Sequence, residues 1–357
     1  MDVDAMSKPG CYHNADDQLQ QRQKLQQQQK QAEDVGYDDG NGQSSWVAYL
    51  ETERNRQFDP VDDAFMCIFR DLLRSHAVDA ARDAARAIDG AFARGWLPQR
   101  SMLKHAGDEG LADFVHLVYN LIFELAPLLR HDSAQHVRLF ELLVELRRLP
   151  PRSFKLNSNE YIPYVNDPDF FDVLHEETRN CYQEGPHPRR HLTADDSEDT
   201  NSAAFRQQCE AWVNFSLFKA RCVEAGILHQ RTNAHGLPAD QIVEGLETDP
   251  LPVSQPARDC KVMVAAQYLA VAGARFHERL ILVPRRVFND NASTNVKAAA
   301  AIALHRGRAR WSLWAARLEF LAQRGGLSPY VVDALEVARR RVVALEPVLF
   351  PGMAMRR

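Results

Sequence analysis

The sequence predicts an all-α protein, a multi-helix bundle or helical-hairpin array of about nine or ten helices behind a polar N-terminal tail. Three observations lead there. Apolar residues recur at helical spacing from Trp46 onward, start and stop signals such as Asp59-Pro60 and Gly325-Gly326 flank those stretches, and alanine-rich segments offer faces on which helices can approach closely.

Residues 1–45 carry the tract QLQQRQKLQQQQKQ and then DVGYDDGNGQSS; Leu19 and Leu25 are too few to make a seam, so a disordered tail is expected. Gly40-Asn41-Gly42 lies between no strand and helix, which excludes a phosphate loop there. After Asp59-Pro60 come Phe65, Ile68, Phe69 and Leu72 on one helical face. The next segment places Ala81, Ala84, Ala85, Ile88 and Phe92 on one side and ends at Gly95 and Pro98. LADFVHLVYNLIFELAPLL is apolar nearly all round, with Phe114, Val115, Val118, Ile122 and Leu125 as its main stripe, and Pro127 ends or kinks its last turn. A helix from Ser133 to Leu149 presents Val137, Phe140, Leu143, Val144 and Leu146 and stops at Pro150-Pro151. Residues 152–169 read as an irregular, ordered connection in which Phe154, Tyr161 and Tyr164 pin the loop to the core. A short helix over 170–181 follows, then a flexible linker over 184–203.

Phe205, Cys209, Trp212, Phe215 and Val223 mark a long helix that ends at Gly226. A loop broken by at most one short helix leads to a helix over 257–282, with Val262, Ala265, Ala266, Leu269, Gly273, Phe276 and Leu280 on one stripe and Pro284 as its stop. VFNDNASTN is expected as a loop, and AAAAIALHRGRA as a helical stretch broken near Gly307. In the final hairpin Trp311, Trp314, Ala315, Leu318, Leu321 and Ala322 share an arc of about 120°. Leu313 and Phe320 lie nearly opposite, so this helix should be covered on two sides. Gly325-Gly326 supplies a left-handed stop, Ser328-Pro329 an N-cap and first-turn proline, and Val331, Ala334, Leu335, Ala338, Val342 and Leu345 the last stripe. The division expected is two packed helical subdomains, 46–183 and 204–346, with a short tail over 347–357.

W-x-x-W-x-x-R-L-x-x-L-A in this hairpin, its glycine turn and alanine-bearing last helix, together with V-M-V-A-A-Q-Y-L-A-V-A-G-A-R-F upstream, resemble a family of fungal all-helical proteins of unknown function. The resemblance covers about 59–346 and brings no catalytic residue with it.

No charge-free window of 18 apolar residues occurs and the first residues are acidic, so the expected protein is intracellular, cytoplasmic or nuclear, with no membrane span. The six cysteines form no CxxC pair, which argues against a disulfide framework or zinc site. In that setting the sequons at Asn214 and Asn291 carry no meaning. LHEETRN has Arg179 where a zinc-protease helix needs its second histidine, and neither His131 with His136 nor His187 with His191 has a third ligand. Glu141 with Glu145 and Glu176 with Glu177 show no difference of environment that would separate an acid from a base. No catalytic, cofactor or metal residue is therefore assigned.

Charge is the least ordinary feature. The net value of −5 hides 17 Lys and Arg against 7 Asp and Glu after residue 256, with the acidic excess before it. The expected function is a helical protein acting through contacts with an unknown protein partner. Two alternatives stand beside it: anion or nucleic-acid binding through the last hundred residues, with Arg306, Arg308, Arg310, Arg339 and Arg340 as candidate ligands, and a helical enzyme with a pocket near 152–169.

Overall fold

The computed structural model describes residues 45–56, 60–91, 109–150, 154–156, 159–161, 174, 202–228, 238–248, 254–289 and 293–350. The expected tail apart from Ser45, most of the 152–169 connection, the 170–181 helix apart from Leu174, the linker apart from Ser202 and Ala203, and the last seven residues lie outside them. The helices are α1 (Ser45–Arg56), α2 (Pro60–Arg74), α3 (Ala80–Ala91), α4 (Glu109–Leu125), α5 (Ala134–Leu146), α6 (Ala203–Glu224), α7 (Pro238–Leu246), α8 (Gln255–His277), α9 (Val283–Asn289), α10 (Thr294–Arg324) and α11 (Pro329–Leu345). A π-helical turn, Glu278–Leu282, joins α8 to α9 without a break, so the described residues form ten helical segments. One departure from the expectation is a small antiparallel ribbon, Phe154–Leu156 paired with Asn159–Tyr161, where an irregular connection was expected. Its register pairs Phe154 with Tyr161, Lys155 with Glu160 and Leu156 with Asn159.

Residues 45–357 form one compact unit, and the buried apolar side chains from Trp46 to Phe350 make one continuous cluster. In its first half α2 packs on α1, α3 and α5, and α3 lies along α5. Ala81, Ala84, Ala85 and Ile88 are the buried face of α3, where small side chains bring the helices close. Phe114, Val115, Val118, Ile122 and Leu125 are wholly buried in α4, which tightens into a 3-10 turn, Ala126–Leu128, at Pro127. The stripe expected on α5 is rotated: Leu139, Leu142 and His136 point fully inward, while Val137, Phe140 and Val144 sit at its margins. His136 is not part of the apolar stripe expected from the sequence. Its buried hydrogen bonds, described below, turn the helix.

The second half is built around α8. It packs on α6, α7 and α11 and is buried on nearly every side, a position that its run of Val, Ala, Leu and Gly suits. Gly245 of α7 lies so near Lys261 O that a Cβ there would come within 2.5 Å of it. Gly226 ends α6 with φ 72°, and Gly325 and Gly326 end α10 at 77° and 79°, the left-handed conformation that glycine takes without strain. Ser328 takes extended N-cap geometry, but its hydroxyl does not cap α11; it donates to Asp259 Oδ2 at 2.5 Å and ties the start of α11 to α8.

Two expected breaks are absent, and one cause explains both. Pro284 stands inside the continuous rod, and Gly307 stands inside α10. Proline has no N–H to give the carbonyl four residues earlier, and its ring needs room there. The π turn supplies the room, and the released carbonyl of Leu280 faces Gly307, where a Cβ would lie 2.0 Å from the oxygen. α10 therefore crosses the turn at backbone contact. Leu304, half-buried, and Trp311, fully buried, pack one turn away on either side.

Two outcomes follow. Gly307→Ala, a change that in an exposed helix stabilises by about 1 kcal/mol, should here lower stability by roughly 2 kcal/mol or more, measured by urea unfolding beside Ala303→Gly as the exposed control. Trp314 is 2% exposed, and Trp314→Ala should remove about 3–5 kcal/mol through the cavity it leaves, read as a fall in thermal midpoint.

Candidate interaction surface

α10 has one face fixed in the core and one facing solvent. On the inner side Trp311, Trp314, Ala315, Leu318 and Leu321 are buried, and the two indoles lie 5.9 Å apart between ring centres. Polar contacts fix the rotation of the helix. Trp311 Nε1 donates to Val342 O at 3.1 Å, and Trp314 Nε1 donates to Glu247 Oε1 at 2.8 Å. Glu247 also accepts from Arg310 Nε at 2.7 Å and Nη2 at 3.1 Å, while Arg317 Nε donates to Leu246 O at 2.7 Å. The end of α7 is thus stitched to α10 by donors that meet its last carbonyls and carboxylate.

The outer side departs from the expectation that a second cover would hide Leu313 and Phe320. They are 44% and 45% exposed, and Ile302 is 55% exposed. With Ala299, Arg306, Ala309 and Ala316, also exposed, they run at alternating intervals of three and four residues, the spacing of a coiled-coil seam. The seam is about 32 Å long at 1.5 Å per residue. Arg310, Arg317 and Arg324 follow one margin, and the guanidinia of Arg317 and Arg324 each sit 5.5 Å from the Phe320 ring centre. His305, Ser312 and Glu319 follow the other. The spacing was readable in the sequence, but an assumed break at Gly307 divided Ile302 from Leu313.

The five arginines considered as anion ligands separate in the fold. Arg310 is committed to Glu247, Arg339 Nη2 donates to Glu319 at 3.2 Å, and Arg308 Nη2 lies 3.9 Å from Glu346. Arg306 and Arg340 are exposed, on α10 and α11 respectively.

Two buried polar centres complete the inventory. Asn214, part of a sequon, is 6% exposed and works inside the fold: its Nδ2 donates to Pro127 O at 3.0 Å and its Oδ1 accepts from His131 N at 2.8 Å. Its carbonyl lies 2.9 Å from His136 Nε2, and Arg221 Nη1 is 2.5 Å from His136 Nδ1. A guanidinium can only donate, so Nδ1 accepts and the proton sits on Nε2. Burial and then the Arg221 charge push the His136 pKa down to about 3, and burial lowers Arg221 to about 10. His131 is also lowered by burial. In the second centre Glu346, 4% exposed, lies 2.8 Å from His277 Nε2 and accepts from Arg285 Nη2 at 2.6 Å. Burial raises its pKa, but these hydrogen bonds prevail and hold it below the usual value.

The described cysteines 67, 209, 222 and 260 are unpaired as disulfides; burial raises the Cys222 thiol, and the Cys209 contact with burial raises Cys260. Among the described residues no three His, Cys, Asp or Glu come together as a metal site, and no helix is long and apolar enough to cross a membrane.

The geometry therefore defines an all-helical protein with a long exposed seam and structural, enclosed polar centres. The sequence model of the family described as protein of unknown function, DUF3632, matches residues 119–318, more than half of the chain, and the protein belongs to that family. No curated protein and no solved structure matches the chain.

The His136 centre gives a pH prediction. The folded pKa is about 3 against 6.5 for the free side chain, so the stabilisation is present above about 6.5 and is lost as pH falls toward the folded value. Urea-unfolding free energy should decline progressively below pH 6.5, and His136→Gln should flatten that decline while lowering stability at pH 7.5.

Proposed function

We propose that this protein is a helical interaction module whose working surface is the outer face of α10, and that the occupant is an acidic amphipathic helix of another protein. The observation that carries the reading is the exposed seam from Ala299 to Phe320. Its three large apolar residues alternate with alanines, which offer knobs and recesses to a facing helix. Charge selects the occupant. Arg306 stands within the seam and arginines line one margin, so a partner with a carboxylate opposite Arg306 gains an ion pair and register. A second copy is opposed: parallel pairing sets Arg306 on Arg306, and antiparallel pairing sets the arginine margin on itself. Three of the five candidate anion ligands, Arg308, Arg310 and Arg339, divide among separate carboxylates, which favours a protein partner over nucleic acid. We infer a fungal, intracellular setting, cytoplasmic or nuclear, from the resemblance and the polar sequence.

A photo-crosslinking residue at position 313, introduced in the full chain and activated in the native cell, tests this. Mass spectrometry should find an acidic amphipathic helix of a different protein joined there and absent from a control at Val78, which is 87% exposed. Joining to a second copy, lipid or nucleic acid, or no product above the control, would overturn the reading. With the partner in hand, Leu313→Asp and Phe320→Asp should each weaken binding at least tenfold and change the unfolding midpoint far less than Trp314→Ala does, since both side chains lie on the solvent face and are nearly half exposed.

A further inference from the structure

The centre around Glu346 carries more cation than one carboxylate requires. Glu346 is the C-cap residue of α11, with φ −139° and ψ 67°. Its Oε2 meets His277 Nε2, and its Oε1 meets Arg285 at 2.6 Å and Arg308 at 3.9 Å. That last distance is too long for a hydrogen bond. The Arg308 Nε is buried and has no hydrogen-bond partner. Two fixed positive charges thus share one negative charge, and donor capacity is left over on Arg308. Exposure is graded across the niche. The side chains of His277 and Glu346 are each 6% exposed, that of Arg285 is 34% and that of Arg308 is 41%. The floor is enclosed and the two guanidinia form a mouth that solvent reaches.

Backbone geometry sets this mouth. Arg285 follows Pro284 just after the π turn, and Arg308 follows Gly307, which touches the Leu280 carbonyl of the same turn. The contact that places α10 against the turn therefore also places the two guanidinia on either side of one oxygen. Glu278, the acid of the turn itself, is drawn away toward Arg275 at 3.6 Å and Arg286 at 3.9 Å.

We propose that the niche formed by Arg285, Arg308 and His277 is a binding site for a phosphate-type dianion, occupied in the resting chain by the Glu346 carboxylate acting as an internal ligand. Two planar guanidinia match a tetrahedral oxyanion with two charges better than a single carboxylate, since each can donate two parallel hydrogen bonds. The dianion takes the place of Glu346 Oε1 and releases the carboxylate to solvent. Binding then frees the turn Pro347–Leu349 and loosens the end of α11, which Trp311 still holds through Val342 O.

The site is separate from the outer seam of α10, so its test is independent of the partner. Titration calorimetry on the full chain with inorganic phosphate is compared for the native protein, Glu346→Gln and Arg308→Gln, each checked for helical circular dichroism. Removing the competing charge in Glu346→Gln should tighten phosphate binding at least tenfold, and Arg308→Gln should weaken it at least tenfold. Saturating phosphate should speed amide hydrogen exchange over 346–350 in the native chain and leave 331–338 unchanged. If Glu346→Gln does not fold, Glu346→Asp, with a shorter reach to the guanidinia, serves and should also tighten binding. A second arm uses phosphatidylcholine vesicles containing phosphatidic acid. Binding to free phosphate assigns a soluble anion, and Arg308-dependent binding to vesicles alone assigns a lipid headgroup. Affinity for phosphate and vesicles that is absent, or that neither substitution changes, overturns the proposal.

Discussion

The fold rests on a helix that is enclosed on nearly all sides. A buried helix can show no polar face to its neighbours unless each polar group finds a partner, and it can be approached closely only where its side chains are small. α8 meets the second demand with Ala265, Ala266, Ala272 and Gly273 along its length, and near its ends Asp259 accepts from Ser328 and His277 meets Glu346; midway along it the Gln267 amide is buried without a hydrogen-bond partner. These contacts reach the two residues that flank α11, Ser328 before it and Glu346 after it. The start and the finish of α11 are therefore fixed to the start and the finish of α8, and a hydrophobic stripe of Val331, Leu335, Ala338 and Val342 fills the space between.

Much of this was legible from the chain. Periodicity located the core-facing side of α2, α4, α6 and α11, because an apolar stripe records which side of a helix faces the core whatever lies opposite, although the wholly buried Leu73, Tyr119, Phe123 and Phe218 lie outside the stripes it gave. The glycine stop at 325–326 is also local and legible, and Ser328 holds the N-cap position, although its hydroxyl goes to Asp259 on α8 rather than to the helix end. What escaped was set by partners distant in sequence. Nothing near Pro284 announces that a wide turn will absorb its ring, and nothing near Gly307 announces a carbonyl 27 residues away in need of a close neighbour. The inward position of His136 likewise depends on Asn214 and Arg221, about eighty residues further on. Leu313 and Phe320 failed in the opposite sense: an apolar pair opposite the core face was read as a second buried side, and periodicity alone does not say whether a cover exists.

The candidate surfaces follow from the same arrangement. α10 is held by indoles, by Glu247 and by backbone contact at Gly307, all on one side, so its other side can remain open without loss of stability. The basic excess of the last hundred residues is distributed by this geometry: some guanidinia reach inward to Glu247, Glu319 and Glu346, and others border the seam. A net charge read from composition combined roles that the fold separates by half a turn of one helix.

The two left-handed glycines at 325 and 326 have a kinetic consequence. They join α10 to α11 through a very short loop, further held where Arg258 donates to Gly326 O at 2.6 Å. Closing so short a loop sacrifices little chain entropy, and contacts between neighbours in sequence form soonest. This hairpin is thus suited to nucleate early during synthesis of the C-terminal half, offering a ready template on which the long rod from 255 to 289 can settle.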